Sequence, residues 1–324
     1  EIIHSKQHMI QSVEAIYKGV VASLSNKILE LDEIVKFIAT VDLLYCKAFI
    51  ANNYNYCKPI IKNQTSKSFV SQKGLRHPLI ENLLKNELYV TNDINLDERE
   101  LGILLYGTNA VGKSSFIKAM GIAVIMAQAG FFVPCSQFIY KPYKHIFTRI
   151  LGNDNLFKGL SSFAVEMLEF KTILNLADKD SLILGDELCS GTESSSAISI
   201  FLAGIDHLYH LKSNFIFATH FHEIVQLDEV KTKEKLLLKH MTVVYNKEKD
   251  KLIYDRKIKN GPGENMYGLE VCKSLHLPQN FLQKAHELRN KYNKKTSSML
   301  AYDTSRYNSQ KLKGLCEMCH EEFS

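Results

Sequence analysis

Residues 107–115 read Gly-Thr-Asn-Ala-Val-Gly-Lys-Ser-Ser and fit the pattern G-x-x-x-x-G-K-[ST]. An apolar run, Leu101 to Tyr106, precedes them, and a helix-period pattern begins near Lys113. After a strand and before a helix, such glycines let backbone N–H groups surround phosphate oxygens at the positive end of the helix. We expect the Lys113 ammonium to reach the β and γ oxygens and the Ser114 hydroxyl to bind Mg²⁺. The segment therefore predicts a nucleotide-phosphate site.

An acidic pair follows a second apolar strand further along the chain. Residues 181–187 read Ser-Leu-Ile-Leu-Gly-Asp-Glu, in which Leu182 to Leu184 form the strand. Asp186 is placed to hold Mg²⁺ through water, and Glu187 to orient and deprotonate the water that attacks the γ-phosphate. An acidic pair alone is usually a solvated turn or helix start. Because the phosphate loop lies upstream, the catalytic interpretation is favoured.

A third apolar strand, Phe215 to Ala218, ends in Thr219 and His220. Ligands of parallel sheets collect at the carboxyl ends of the strands, where a γ-phosphate sensor would stand. A single histidine is often a structural residue instead. The residues alone leave both interpretations of His220 open.

From about His77 to Leu288, these and other segments resemble the DNA mismatch-repair MutS proteins, in the same order along the chain. The further segments that carry the resemblance are residues 76–81, 89–96, 131–134, 146–149, 159–167, 191–192, 217–220 and 267–269. The resemblance implies an α/β fold, a P-loop ABC-type ATPase with a mixed, mainly parallel sheet flanked by helices. It also implies a long helical lever segment in front of that domain.

The resemblance also implies roles for individual residues. Tyr89 matches the aromatic residue that stacks on adenine, with Val90 and Asn92 beside it. The residues that match phosphate contacts of ATP are Gly107, Thr108, Asn109, Ala110, Gly112, Lys113, Ser114 and Ser115. Ser114 and Asp186 match the Mg²⁺ ligands, and the implied catalytic residues are Glu187, His220, Lys113 and Asn109. Ser161 matches the serine that completes the partner's nucleotide site in a homodimer.

Several positions depart from the family pattern. Val111 stands where a second glycine is common, so the loop geometry survives only if this β-branched residue avoids the left-handed region. Cys189 replaces a glycine of the family, and Leu160 replaces an arginine that would be a bidentate phosphate partner. Glu270 stands where the family tends to carry a histidine that contacts the base. These departures bear on turnover and nucleotide preference more than on binding.

Composition narrows the class of protein. A formal net charge of +5 permits an anionic partner without requiring one. Seven cysteines lack a regular framework spacing, the amino terminus does not resemble a signal peptide, and long uncharged apolar runs are absent. We therefore expect a soluble intracellular protein of a reducing compartment, with no membrane partner.

Residues 1–68 are predicted to form a helical lever or core segment. Their apolar residues recur at three- and four-residue steps: Ile10, Val13, Tyr17, Val20, Leu24, Ile28, Leu31, Val35 and Ile38. Such a stripe usually packs on its own domain, whereas the resemblance suggests a lever that connects a distant DNA clamp to the ATPase. Residues 52–68 are polar and are predicted to be a connector.

Residues 69–293 are predicted to form the ATPase domain with a carboxyl-terminal helical dimerisation element. Within it, residues 241–245 and 252–258 alternate around a charged turn and predict a hairpin. Pro278 is well placed to open a last helix, which we expect to end at about Asn293.

Residues 294–324 are predicted to be a linker followed by the start of a zinc-knuckle module. Cys316 and Cys319 have the spacing of a zinc knuckle, but structural zinc normally needs four ligands. They are either an accidental pair or half of a Zn²⁺ site that resembles the opening of an HNH nuclease. A MutS-like group of some viruses and organelles carries such a nuclease, so a viral or organellar origin is implied as well. This chain alone is not expected to cut DNA.

The sequence thus predicts a DNA repair ATPase of MutS type. Binding and hydrolysis of Mg-ATP would switch the conformation of a dimer coupled to mismatched or branched DNA, which is recognised mostly outside this chain. Two alternatives stay open. One is another ABC-type ATPase of recombination or chromosome structure, and the other is a nucleotide-binding dimerisation module that delivers a carboxyl-terminal nuclease.

Overall fold

In the computed structural model of the protein, the described residues are 2–84, 88–108, 110–150, 162–189, 191–246, 251–263, 269, 272–273, 275, 277–300, 304–305 and 308–312. Helices and two larger sheets alternate along this part of the chain, which is a mixed α/β fold as the sequence predicted. Within the described residues, none of the helices combines the length and apolar character needed to cross a membrane.

Two helices, α1 (Ile2–Ser25) and α2 (Ile28–Tyr54), occupy the amino-terminal region. The sequence predicted one continuous stripe here, but the helix is interrupted before Ile28. The hydroxyl groups of Ser23 and Ser25 donate to the carbonyl oxygens of Val20 and Val21, and such local bonds favour helix ends. None of the described residues of α1 or α2 is buried, so the stripe does not pack on its own domain.

A four-stranded sheet follows. It contains β1 (Ile60–Ile61), β2 (Phe69–Leu75), β3 (Asn92–Leu96) and β5 (Gln137–Lys141), in the order β1-β5-β2-β3. Strand β2 is antiparallel to both neighbours, and β1 adds a parallel edge to β5. The predicted connector at 52–68 therefore contains an edge strand. Helix α3 (Pro78–Leu83) leads from β2 towards β3, and Nδ1 of His77 accepts the Ile80 N–H at its start.

The central sheet has six strands. They are β4 (Gly102–Tyr106), β6 (His145–Arg149), β7 (Ser181–Asp186), β8 (Asn214–Ala218), β9 (Leu236–Asn246) and β10 (Lys251–Asn260). Their order is β10-β9-β4-β8-β7-β6, and only the β9/β10 pair is antiparallel among the described strands. The three predicted apolar strands and the predicted hairpin are confirmed. The parallel order brings the carboxyl ends of β4, β7 and β8 to one edge.

Helices cover both faces of this sheet. They are α4 (Lys113–Gln128), α5 (Ser162–Leu176), α6 (Ser194–His210), the short α7 (Asp228–Lys231) and a 3₁₀ helix (His222–Gln226). Side chains alternate along the strands, as a period of two requires. Ile103 and Leu184 share a core with α4, whereas Leu104 and Ile183 share another with α5 and α6. The site at the strand ends therefore rests on two packed layers.

The last long helix, α8, spans Gln279–Leu300, and a small antiparallel pair follows, β11 (Thr304–Ser305) with β12 (Asn308–Leu312). The predicted helix at this position is confirmed, but it extends beyond Asn293 into the predicted linker. Residues 291–300 contain neither glycine nor proline, so nothing in their local chemistry stops a helix. The polar composition of this stretch suggested a linker, but it was a weaker signal than the absence of a helix breaker.

Candidate nucleotide site

The loop between β4 and α4 has an unusual backbone that suits an anion. Gly107 and Gly112 have φ values of 147° and 114°, and Ala110 lies in the left-handed region at 65°. Val111 is not among the residues with positive φ, and its side chain is fully buried in the core. The condition that the sequence placed on Val111 is therefore met, because the left-handed position falls on its smaller neighbour.

Lys113 lies inside the curve of this loop. Its ammonium donates hydrogen bonds to the carbonyl oxygens of Gly107 at 2.7 Å and Thr108 at 3.1 Å. Burial lowers the pKa of Lys113, and the nearby carboxylates of Glu187 and Asp186 oppose that shift. The Lys113 ammonium is thus at the first turn of α4, where the predicted phosphate would lie. The positive end of the helix also favours an anion there.

Asp186 ends strand β7 with an unsatisfied carboxylate. The residue is 5% exposed, and its Oδ1 atom has no hydrogen-bond partner among the described residues. The same holds for the hydroxyl oxygen of Thr108 in the loop. A buried oxygen without a donor is unfavourable, and carboxylate and hydroxyl oxygens are the ligands that Mg²⁺ prefers. The oxygen groups of Asp186 and of Ser114, in the first turn of α4, thus have the chemistry that a magnesium ion would require.

Glu187 and His220 meet at the ends of adjacent strands. Atom Nε2 of His220 lies 2.6 Å from Oε1 of Glu187, and the Glu187 N–H donates to the carbonyl of Ala218 at 3.0 Å. The His220 side chain is 44% exposed, so it is not a core histidine. Strand order explains this pairing, because β7 and β8 are parallel neighbours. A carboxylate in contact with an imidazole can accept a proton from water.

A cavity of about 310 Å³ opens beside the loop. Its lining includes the predicted residues Tyr89, Val90, Asn92, Ala110, Gly112 and Ser115. Tyr89 is half-buried, and this burial raises the pKa of its hydroxyl. The cavity therefore joins an aromatic wall to the predicted phosphate loop and has room for a planar base.

Asn92 lines this cavity and also bonds to the backbone of β10. Its amide Nδ2 donates to the Arg256 carbonyl at 3.0 Å, and its Oδ1 accepts the Ile258 N–H at 2.8 Å. Both bonds hold β10 where the register shifts between Tyr254 and Ile258. Because both ends of the amide are engaged, Asn92 fixes the wall of the cavity.

The lining residues that sequence reasoning missed include Met241 on β9 and Arg256 on β10. Arg256 has a left-handed backbone, with φ of 53°, at the irregularity that Asn92 holds. The sequence did contain a sign of this irregularity, because Asp255, Arg256 and Lys257 interrupt the apolar alternation of the predicted strand. The break in alternation coincides with the register shift of β10, where the paired strands no longer match residue for residue.

Several predicted residues fall outside the described part of the chain. They are Asn109, Leu160, Ser161, Glu270, Cys316 and Cys319. Their roles stay predictions, including the trans contact of Ser161 and the zinc knuckle of the two cysteines.

Comparison with known proteins gives a consistent result. The sequence model of the family described as MutS domain V matches residues 103–293. A mutS homolog of Acanthamoeba polyphaga mimivirus, named as a DNA mismatch repair protein, is 36% identical over 93% of this chain and 30% of its own length. The mitochondrial DNA mismatch repair protein mutS homolog of Sarcophyton glaucum is 36% identical over 98% of this chain and 32% of its own length.

A bacterial relative, the DNA mismatch repair protein MutS of Chlorobium phaeovibrioides, is 33% identical over 89% of this chain and 32% of its own length. The chain thus spans about a third of the length of these relatives. The matched region contains the loop, the acidic pair and the histidine described above. The chain belongs to the MutS family, and residues 103–293 are its MutS domain V.

Proposed function

We propose that this chain binds ATP with Mg²⁺ and hydrolyses it, as the ABC-type P-loop ATPase part of a MutS-type DNA repair protein. The observation that carries the proposal is the Glu187–His220 contact of 2.6 Å between the ends of β7 and β8, next to Asp186 with its unsatisfied oxygen. A base, a metal-ligating carboxylate and a buried lysine at one sheet edge are the parts that hydrolysis of a phosphoanhydride needs.

Lys113 would act by exchange of partners. In the structure its ammonium is held by two loop carbonyls, which are neutral acceptors. Phosphate oxygens form stronger, charge-assisted bonds, so we expect the ammonium to turn to them when nucleotide binds. Mg²⁺ held by Ser114 and Asp186 would supply neutralisation of phosphate charge when bound.

Glu187 would accept a proton from the attacking water. His220 contacts the same carboxylate, so it can hold the Glu187 oxygen in one orientation and can sense whether a γ-phosphate is present. Hydrolysis of this kind depends mostly on position and on charge neutralisation. Loss of Glu187 should therefore spare nucleotide binding and stop turnover.

The cavity beside the loop would hold the base. Tyr89 offers an aromatic face to this cavity. Arg256 of β10, which carries a guanidinium group, lines the same cavity. Stacking of a base on tyrosine, with a cation near the same cavity, is a favourable arrangement. Adenine is our proposed occupant because the residues beside Tyr89 match the family pattern.

The larger assembly is also part of the proposal. A second copy of the chain would present Ser161 to the site, and the exposed helices α1 and α2 would serve as a lever to DNA-binding parts of the longer protein. The names of the relatives describe DNA mismatch repair, which suggests mismatched or irregular DNA as the ultimate ligand.

The first test compares phosphate release and nucleotide affinity of the wild type with those of Glu187→Gln. We expect kcat to fall by about 100-fold or more while Kd for ATP changes by less than about threefold. Glu229→Gln, at an exposed glutamate of α7, is the matched control and should leave both unchanged. Equal turnover in Glu187→Gln and wild type would refute the assignment of the base.

The second test measures phosphate release together with the molecular mass of the protein in solution. If the site is composite, phosphate release should rise with dimer formation in the presence of ATP and Mg²⁺, and Ser161→Ala should abolish that rise. Nucleotide binding without phosphate release by the wild type would instead support the dimerisation module that delivers a nuclease.

A further inference from the structure

The segment after β7 holds an unfavourable conformation. Glu187 and Cys189 both have left-handed backbones, with φ of 54° and 68°, and neither is a glycine. Such residues persist only where their surroundings fix them. Leu188 between them is buried, which anchors the middle of the segment. The direction of the Glu187 carboxylate therefore depends on whatever holds this short turn at its two ends.

One end is held by a sheet neighbour and the other by a side chain. The Glu187 N–H donates to the carbonyl of Ala218 on β8 at 3.0 Å. The Cys189 N–H donates to Oε1 of Glu166 at 2.9 Å. Glu166 lies on α5 and is 5% exposed, so this is a charge-assisted bond in a buried environment.

Arg149 pairs more closely with Glu169 than with Glu166. Arg149 Nε lies 3.2 Å from Oε2 of Glu169 but 3.9 Å from Oε1 of Glu166. The exposed Glu169 is thus the closer ion-pair partner of Arg149. A buried carboxylate is unfavourable unless it is well bonded, and the shortest contact of Glu166 with a described residue is its bond with the Cys189 N–H.

We propose that Glu166 is a positioning residue for hydrolysis: it accepts the Cys189 N–H and thereby fixes the turn that directs the Glu187 carboxylate. The role depends on the reach of the side chain and on an oxygen acceptor, and only secondarily on negative charge. It rests on the proposed function, since Glu187 is taken to be the base.

The position of α5 would make this contact sensitive to movement of the helix. The helix begins at Ser162, directly after the serine proposed to enter the partner's site. Glu166 lies in the second turn of that helix, so a displacement of α5 would move the acceptor that holds the catalytic turn. Contact of one subunit with its partner's nucleotide would in this way be linked to the geometry of its own base.

Three variants of the full chain distinguish the effect of the side-chain length of Glu166 from the effect of its charge. Glu166→Asp keeps the charge but withdraws the oxygen by one methylene, whereas Glu166→Gln keeps the oxygen and loses the charge. Glu169→Ala removes the neighbouring carboxylate that pairs with Arg149 and serves as control. We expect kcat to fall about tenfold or more in Glu166→Asp, two- to threefold in Glu166→Gln, and negligibly in Glu169→Ala, with Kd for ATP unchanged in all three.

Hydrogen exchange at the Cys189 amide gives a readout that does not need turnover. Protection should be lost in Glu166→Asp and largely kept in Glu166→Gln and Glu169→Ala. If the wild type releases no phosphate, the proposed function fails, but this exchange pattern would still support Glu166 as the residue that holds the turn. Wild-type turnover and protection in Glu166→Asp, or greater losses in Glu166→Gln than in Glu166→Asp, would overturn the proposal.

Discussion

Cys189 carries a side chain where a glycine would have the least strain. Its φ of 68° lies in the left-handed region, and the thiol is fully buried. We expect Cys189→Gly to be more stable than Cys189→Ala by about 0.5–1 kcal/mol, because both lack the thiol and only alanine keeps a Cβ. Urea unfolding of the two variants measures the difference.

The opposite order should hold at an ordinary helical position. Lys171 is exposed on α5, so alanine should exceed glycine there by about 1 kcal/mol. If Cys189→Ala were the more stable variant at the turn as well, the turn would not be strained at this residue.

Lys67 makes the stability of the chain depend on pH. Its ammonium is buried and donates to the Lys212 carbonyl at 2.8 Å. Burial lowers the pKa of Lys67 from 10.5 to about 8, and the carboxylates of Asp97 and Glu98 oppose this shift. Between these two values the unfolded chain binds more protons than the folded one, so stability rises with pH.

We therefore expect the unfolding free energy of the wild type, relative to Lys67→Met, to increase as pH rises from about 8 to 10.5. Below that window the lysine is charged in both states, and the difference should be constant. Urea unfolding of the two proteins across the range provides the measurement. A difference that is independent of pH, or that falls as pH rises, would show that burial does not perturb this lysine.

At the scale of elements, the contact between β7 and β8 depends on a missing side chain. A Cβ atom at Gly185 would lie 2.3 Å from the ring of Phe217. Gly185→Ala should destabilise the fold by about 1–3 kcal/mol, because the ring is fully packed and has little room to move. It should also weaken turnover, since Asp186 is the next residue of the same strand.

Gly19 in α1 provides the matched control for this substitution. Nothing lies within 4 Å of a Cβ at Gly19, so Gly19→Ala should favour helix α1 locally and leave the unfolding midpoint of the domain within about 2 °C of the wild type. Thermal unfolding of both variants tests the pair. Equal effects at the two positions would contradict the close approach of β7 to β8.

The link between β3 and β10 can be tested through base recognition. Asn92→Asp keeps an acceptor for the Ile258 N–H but sets a carboxylate against the Arg256 carbonyl. We expect ATP to bind about tenfold more weakly, equivalent to about 1.4 kcal/mol, whereas inorganic tripolyphosphate should bind unchanged. Calorimetric titration with the two ligands distinguishes a base effect from a phosphate effect.

Asn95→Asp is the control on the same strand. Asn95 is exposed, and its Oδ1 accepts a bond from the Ser71 hydroxyl that aspartate can also accept. Normal ATP affinity in Asn92→Asp, or an equal loss for tripolyphosphate, would mean that the β10 irregularity does not shape the base cavity.

Periodicity and glycine placement made the central sheet predictable from the sequence. The runs around residues 101–106, 182–184 and 215–218 are short, apolar and each followed by polar residues, so strands and strand ends could be read together. The position of Glu187 and His220 at strand ends could be predicted in this way, whereas their direct contact is seen only in the structure. Contacts through side chains of distant segments could not be predicted in this way, because no local pattern specifies that Asn92 holds β10 or that Glu166 holds Cys189.

At the scale of the whole molecule, the core and the amino-terminal helices are separate in their packing. Apolar residues of the two sheets and of α4 to α6 form two buried clusters, and neither includes a described residue of α1 or α2. The helices instead expose large apolar side chains, such as Phe37 and Leu29. A surface of this kind stabilises a protein only when something covers it, so its removal should not weaken this domain.

We expect a chain that lacks residues 1–44 to unfold within about 2 °C of the full chain and to aggregate less, since no core surface is lost.

The segment at the end of α2 differs from the rest of the helix because it packs on the domain. Tyr56 is 8% exposed and packs under the Arg76 guanidinium at 5.5 Å, and Arg76 also donates to the Tyr54 carbonyl at 3.0 Å. Removal of residues 1–56 should therefore lower the midpoint by about 5 °C or more, as loss of a buried aromatic side chain requires. A drop of that size on removal of residues 1–44 alone would show that the helices contribute to the stability of the domain, and differential scanning calorimetry of the three chains decides between these results.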